Sequence, residues 1–451
     1  MTEPIEQLNS LDLPTRRQAL QTLFDKTDGF PAEGRKLNMH LHSFFSYNGE
    51  GWSPSRIVWE AKRQGLYSAA ICDFDVLSGL DEFRDAADLL QLRSAIGMET
   101  RAFFNEYGEV EINSPGEPGV YYFMGMGFVS TPEKSSAPGR TLARLSGRAQ
   151  QRNRELIRRI NAQIDGLDVD YDQDVVPLTP AGNATERHIV FAYHRKALQT
   201  HNQDRAKAAE FWAGVAGANA AEVAALMADD NAVADWLRSR LIKRGGLGYV
   251  QPTAETFPAL DEVIEMVRHC RAIPMSAWLD GTSEGESNPR EQLECLLGKG
   301  VEAVNIIPDR NWNIDDPDKR DRNVQELNRY IETATELDLP INVGTELNKP
   351  GQRFVDDFEA EPMKPHFPVF LQGAQVMVGH SRLLRHADFG YIDEAARTEF
   401  PERSRRNEFF AAVGALPSLP LKARQKLAEL EAEKAYARIA DSAKQRKWVE
   451  L

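Results

Sequence analysis

The sequence predicts an α/β fold: a distorted parallel barrel of seven or eight strand–helix units with a helical subdomain inserted into it. Three observations lead there. From Leu37 onward, short apolar runs ending in polar residues alternate with amphipathic stretches, and such alternation implies parallel strands joined by right-handed crossovers. The alternation breaks between 132 and 250, where the chain is rich in Arg and Ala. The length of 451 residues is too great for one simple domain, but it fits a barrel of about 250 residues with an insertion and flanking segments.

Residues 1–36 read as a helical extension closing in a loop with Gly29, Pro31 and Gly34. Residues 37–131 form the first part of the barrel, with strands ending near His42, Asp73 and Glu99. The helical patterns SPSRIVWEAKRQG and SGLDEFRDAADLLQLR lie between them. Residues 132–250 form the helical insertion. Residues 251–395 resume the barrel, with strands expected to end at Trp278, Ile307, Glu346 and His380. Residues 396–451 form a helical tail whose last run reads as a long charged helix. That helix suits packing against the domain, with a dimer contact, and hence a homo-oligomer, as the alternative.

Composition narrows the function. An apolar fraction of 42% supports a large core. No run of 18 apolar residues exists, so no membrane span is expected. The formal charge of −14 argues against a nucleic-acid backbone partner. Cys72, Cys270 and Cys295 are odd in number and far apart, and the start of the chain lacks a basic-then-apolar leader pattern. Both features lead to the expectation of a reducing, cytoplasmic home.

In a parallel barrel, functional groups gather at the carboxyl ends of the strands. Those ends carry His40, His42, Asp73, Asp75, Glu99, Glu346 and His380, an imidazole and carboxylate set suited to a divalent ion. His40 and His42 share one face of their strand, because side chains repeat every two residues. Asp73 and Asp75 also suit turn and capping duty ahead of the next helix. Arg187 and His188 open the run TERHIVFAYHRKAL behind a capping Thr185. Cations there oppose the helix dipole, so a local structural motive is poor and contact with a metal or an anionic ligand is expected. The segment 109–128 reads as a turn-rich loop near the barrel mouth.

These residues resemble a family. MHLHSFFSYNGEGW is similar to the first motif of the PHP (polymerase and histidinol phosphatase) domain phosphoesterases, ICDFDVLSGLDEF to the second and GMET to the third. TERHIVFAYHRKAL and GTELNKPGQ resemble later motifs of the nucleotide-phosphoesterase branch, which carries a helical insertion. The resemblance spans residues 37–104 and 185–352 and implies a TIM-like PHP barrel holding clustered metals. It implies that His40, His42, Glu99 and Glu346 form one complete site, with Glu346 in place of the usual Asp. His188 matches one ligand of a second site, whose partner position holds Trp278. Every ligand of the third site is replaced, with Phe74 and Asn348 where histidines are usual and Tyr47 or Asn48 after the first strand.

The reading is a PHP-type hydrolase binding one or two divalent ions (Zn, Mn or Fe) and acting on a small anionic substrate, most simply a phosphoester. Its candidate metal ligands are His40, His42, Glu99, His188 and Glu346, and its candidate catalytic residues are Asp73, Arg187 and His188. Two alternatives stay open: a degenerate barrel that binds a metal or ligand without turnover, and an amidohydrolase-like C–N hydrolase, which also begins with HxH but often carries a lysine at a strand end that is missing here.

Overall fold

Residues 3–450 are described by a computed structural model. Among them, seven strands form one sheet: β1 Leu37–Leu41, β2 Ser68–Phe74, β3 Arg93–Phe103, β4 Val120–Met126, β5 Ile273–Trp278, β6 Ala303–Ile306 and β7 Ile341–Val343. They pair in sequence order. β1, β2 and β3 are mutually parallel, as are β5, β6 and β7. The ends of the sheet meet beyond β7. The His42 N–H donates to the Glu346 carbonyl at 2.7 Å and the Glu346 N–H to the His40 carbonyl at 2.8 Å. The result is a nearly closed barrel of mixed α/β architecture. Its strands are buried on both faces, so they read as apolar runs without clean alternation.

Several elements differ from the sequence expectation. β3 runs on to Phe103, past its expected end near Glu99. β4 lies within the segment read as a turn-rich loop, and it runs antiparallel to both β3 and β5. The chain leaves β3 through a single 3-10 turn, Asn105–Tyr107, with no crossover helix, so it returns antiparallel. The run expected to end a strand at His380 is instead part of an α-helix, Phe367–Ala387. Phe367, Phe370, Ala374 and Met377 recur every three or four residues and are buried along one side of it. This helix crosses the helix Arg403–Ala415 at backbone contact. A Cβ on Gly379 would lie 1.9 Å from the Phe410 carbonyl oxygen, and one on Gly414 would lie 1.8 Å from that of Gln375. Only glycine permits so close a crossing.

Segment 132–250 holds the α-helices Ala137–Asn161, Glu186–Thr200, Arg205–Ala216, Ala220–Leu226 and Asp230–Leu241. They enclose an apolar cluster of their own around Tyr193, Trp212 and Leu237. The charged run at the end of the chain is two helices, Leu421–Ala428 and Ala432–Gln445. No described helix is long and apolar enough to cross a membrane.

Candidate metal centre

The strand period sets the first two groups. His40 on β1 and His42 just beyond it project to the same side. Glu99 sits on β3, paired in register with Phe74 of β2. The side chains converge: His40 Nε2 lies 3.3 Å and His42 Nε2 3.2 Å from Glu99 Oε2. All three residues are buried. Both ring nitrogens of His40, Nε2 of His42 and Oε2 of Glu99 have no hydrogen-bond partner. Buried polar atoms are normally satisfied, and three of these orphans, His40 Nε2, His42 Nε2 and Glu99 Oε2, face one another and mark a place for a cation. The donor atoms of the three residues lie within 4.8 Å of one another, as ligands of one ion must.

The charges agree with the geometry. Burial would lower His40, but the Glu99 carboxylate outweighs it and the imidazole is raised above its ordinary value. Burial would raise Glu99, but His40 and His42 hold it down to about 2. This pocket therefore favours positive charge.

Asp73 stands behind the cluster. It accepts from the Ser43 N–H at 2.7 Å, the Ser43 Oγ–H at 2.6 Å and the Ser46 Oγ–H at 2.7 Å. Because Ser46 donates to Asp73, its oxygen accepts from His42 Nδ1, 3.1 Å away. That bond fixes the tautomer with the proton on Nδ1 and turns the Nε2 lone pair toward Glu99. Burial raises the Asp73 carboxyl above its ordinary value, against the pull of its serine donors. The Phe74 ring stacks on His42 with centroids 4.4 Å apart, and Trp278 stacks on Tyr330 at 4.7 Å.

Glu346 stands next to His40 in the closing pair of strands, with φ of +64°, but it does not join the three-residue cluster. Its Oε2 accepts from Asn348 Nδ2 at 3.0 Å and from Arg310 Nη2. Of the four residues expected in one sphere, the structure brings three together and pairs the fourth with an arginine.

Arg187 and His188 prove to have a local motive after all. His188 Nδ1 accepts from the Thr185 N–H at 3.1 Å, taking the place an acid usually holds in a capping box. Burial lowers this imidazole to about 4, so it is neutral and does not oppose the dipole. Arg187 pairs with Asp235, and its guanidinium lies 5.6 Å from the Tyr47 ring centre. The dipole argument assumed a charged imidazole, and burial removes that charge.

A second buried histidine is also a neutral acceptor. His380 Nδ1 accepts from the Tyr391 N–H at 3.0 Å while Nε2 faces the Gly127 carbonyl at 3.2 Å. Burial lowers it to about 4. The ordinary histidine value is 6.5, so between there and about 4 the unfolded chain binds more protons than the folded one. Stability is then full above the upper value and falls with acid, by up to about 3 kcal/mol per histidine at pH 4. Melting temperature should drop across this window, and less steeply in His380→Asn, whose amide oxygen still accepts from Tyr391. An equal slope in the two chains would refute this account of His380.

The cluster opens into a cavity of about 590 Å³ lined by His40, Glu99, Tyr47, Phe74, Trp278 and Glu346. The insertion contributes Arg152, Asn153, Arg187 and Arg238 to the same wall. Asn183 ties insertion to barrel, donating to the carbonyls of Phe45 at 3.1 Å and Phe74 at 2.8 Å. Arg101, Arg310 and Lys349 add to the cations, so six Arg and Lys face four carboxylates. In a chain of charge −14 that local excess is a feature of the site. The sequence reading missed Arg310, Arg152, Arg101 and Ser46. Arg310 lies four residues past the end of β6, in the helix Asp309–Trp312. Arg152 was one arginine among many on its helix.

No family model and no curated relative matches the chain. Among solved structures, it is similar to a protein from Bifidobacterium adolescentis assigned as a metal-dependent phosphoesterase, with 17% identity, 75% of this chain and 97% of that one covered, and a TM-score of 0.45. It is also similar to an amidohydrolase from Chromobacterium violaceum with bound sulfate, with 13% identity, 71% and 91% covered, and a TM-score of 0.45. Likeness at this level says nothing of substrate or reaction.

Proposed function

We propose that the chain is a metal-dependent hydrolase of the PHP type that acts on a small phosphoester. The observation that supports this most is the set of orphaned, buried donor atoms on His40, His42 and Glu99. Two imidazoles and one carboxylate suit zinc, manganese or iron. A divalent cation held by His40, His42 and Glu99 would supply Lewis-acid polarisation of the substrate and activate water near neutral pH.

The protein's own groups do the rest. Ser46 and Asp73 aim His42, which makes Asp73 a positioning residue in this reading. Glu99 offsets the charge of the cation. The surrounding Arg and Lys side chains draw an anionic substrate into a cavity of small-molecule size, and the aromatic walls of Tyr47, Phe74 and Trp278 limit access of water to it. His188 serves the fold of the insertion, and Arg187 remains a cation of the cavity wall.

The test is metal analysis of protein purified without added ions, combined with hydrolysis of p-nitrophenyl phosphate. About one equivalent of metal per chain is expected, with hydrolysis lost on chelation. No bound metal and no hydrolysis when zinc, manganese or iron is supplied would favour the binding barrel instead.

A further inference from the structure

Glu346 and Arg310 form a unit whose purpose the metal cluster does not explain. The Glu346 backbone is pinned on both sides to β1, and its side chain is only 8% exposed. Its carboxylate faces a guanidinium and an amide, both donors. Both donors meet the same oxygen, Oε2, which commits that side of the carboxylate to Arg310 and Asn348.

Arg310 lies on the short helix Asp309–Trp312 immediately after β6. Its side chain is 40% exposed and lines the cavity beside His40 and Glu99. A guanidinium carries five donors, and among the described residues this one makes a single side-chain hydrogen bond, to Glu346. Other cavity cations are more committed. Arg187 is held by Asp235, Arg238 by Glu186, and Arg101 lies between Glu117 and Glu186. Arg310 alone combines an anchoring carboxylate, a free edge of donors and a place at the cluster.

We infer that Arg310 grips the anionic group of the substrate beside the metal cluster, and that Glu346 orients this arginine instead of serving as a metal ligand. The inference rests on the reading that the cavity takes a small anionic ester. A fixed guanidinium would place one of the cavity's positive charges directly beside the cluster. Its planar fork matches two oxygens of one phosphoryl group, which a lysine cannot do.

The test uses full-length protein, with inorganic phosphate as the probe and titration calorimetry and metal analysis as readouts. Arg310→Ala should weaken phosphate binding by about 10-fold or more with unchanged metal content, and Arg310→Lys should recover part of it. Glu346→Gln should keep its metal, whereas His42→Ala should lose it. Wild-type phosphate affinity in Arg310→Ala would overturn the proposal, as would loss of metal in Glu346→Gln to the extent seen in His42→Ala. If wild-type protein binds no metal, the hydrolase reading fails separately, and the phosphate titration of metal-free wild type against Arg310→Ala still decides the role of the arginine.

Discussion

Glu99→Gln is expected to lose the metal and to lower the stability of the metal-free fold near neutral pH. The two effects have one cause. Glu99 Oε2 is the atom common to both imidazoles, at 3.3 and 3.2 Å, and it and the facing nitrogens have no other partner. The two imidazoles hold the buried Glu99 carboxyl down to about 2, and a neutral glutamine amide gives up that attraction. The same amide is neutral and cannot balance a divalent charge. Loss of an outer-sphere partner alone lowers metal affinity by about 10–100-fold, so loss of a direct carboxylate ligand should exceed about 100-fold. Zinc titration and melting of the metal-free protein read the two effects separately. Wild-type zinc affinity in Glu99→Gln would remove Glu99 from the site and leave the metal reading without its support.

The parts of this site that were legible in the sequence are those governed by local geometry. Two histidines at a spacing of two share a face whatever surrounds them, and the end of β1 follows from a short apolar run closed by polar residues, whereas β3 continues past Glu99 to Phe103 because β4 pairs with it there. Less local features were not legible. The apolar run around His380 fits a buried strand or a buried helix equally by pattern, and what decides it is the contact of Gly379 and Gly414 with another helix. β4 is a strand because β3 and β5 flank it, in a stretch whose glycines and prolines suggest turns. Glu346 ends up beside the cluster as its position suggests, but its partner, Arg310, comes from a different loop and reaches it by tertiary packing. His188 shows the same limit for charge. Its place in a first turn is a sequence fact, while its neutrality is a consequence of burial.

Arg16→Met is expected to destabilise the protein by about 3–5 kcal/mol, the range for removing one partner of a buried ion pair. Arg16 belongs to the helix Leu13–Asp25, whose Asp12 cap accepts from the Thr15 N–H. Its guanidinium meets Glu82 through Nε at 2.9 Å and Nη2 at 2.5 Å, with the side chains 2% and 4% exposed. Glu82 also accepts from the N–H and the Oγ–H of Ser55, so losing Arg16 leaves a buried carboxylate with hydroxyl and amide donors but no countercharge. The guanidinium further lies 5.0 Å from the ring centre of Phe44 and 5.9 Å from that of Phe45. Those two rings sit in the loop that carries Ser43 and Ser46, the residues tying Asp73 to His42, so this helix supports the metal cluster from behind. Glu82→Gln in the Arg16→Met background should therefore recover a large part of the loss, because it removes the stranded charge while keeping an acceptor for Ser55. Denaturant unfolding of the single and double variants measures both values. A loss of less than about 1 kcal/mol in Arg16→Met, the size seen for exposed pairs, would mean that water reaches this pair and that the helix is an appendage to the barrel instead of part of its support.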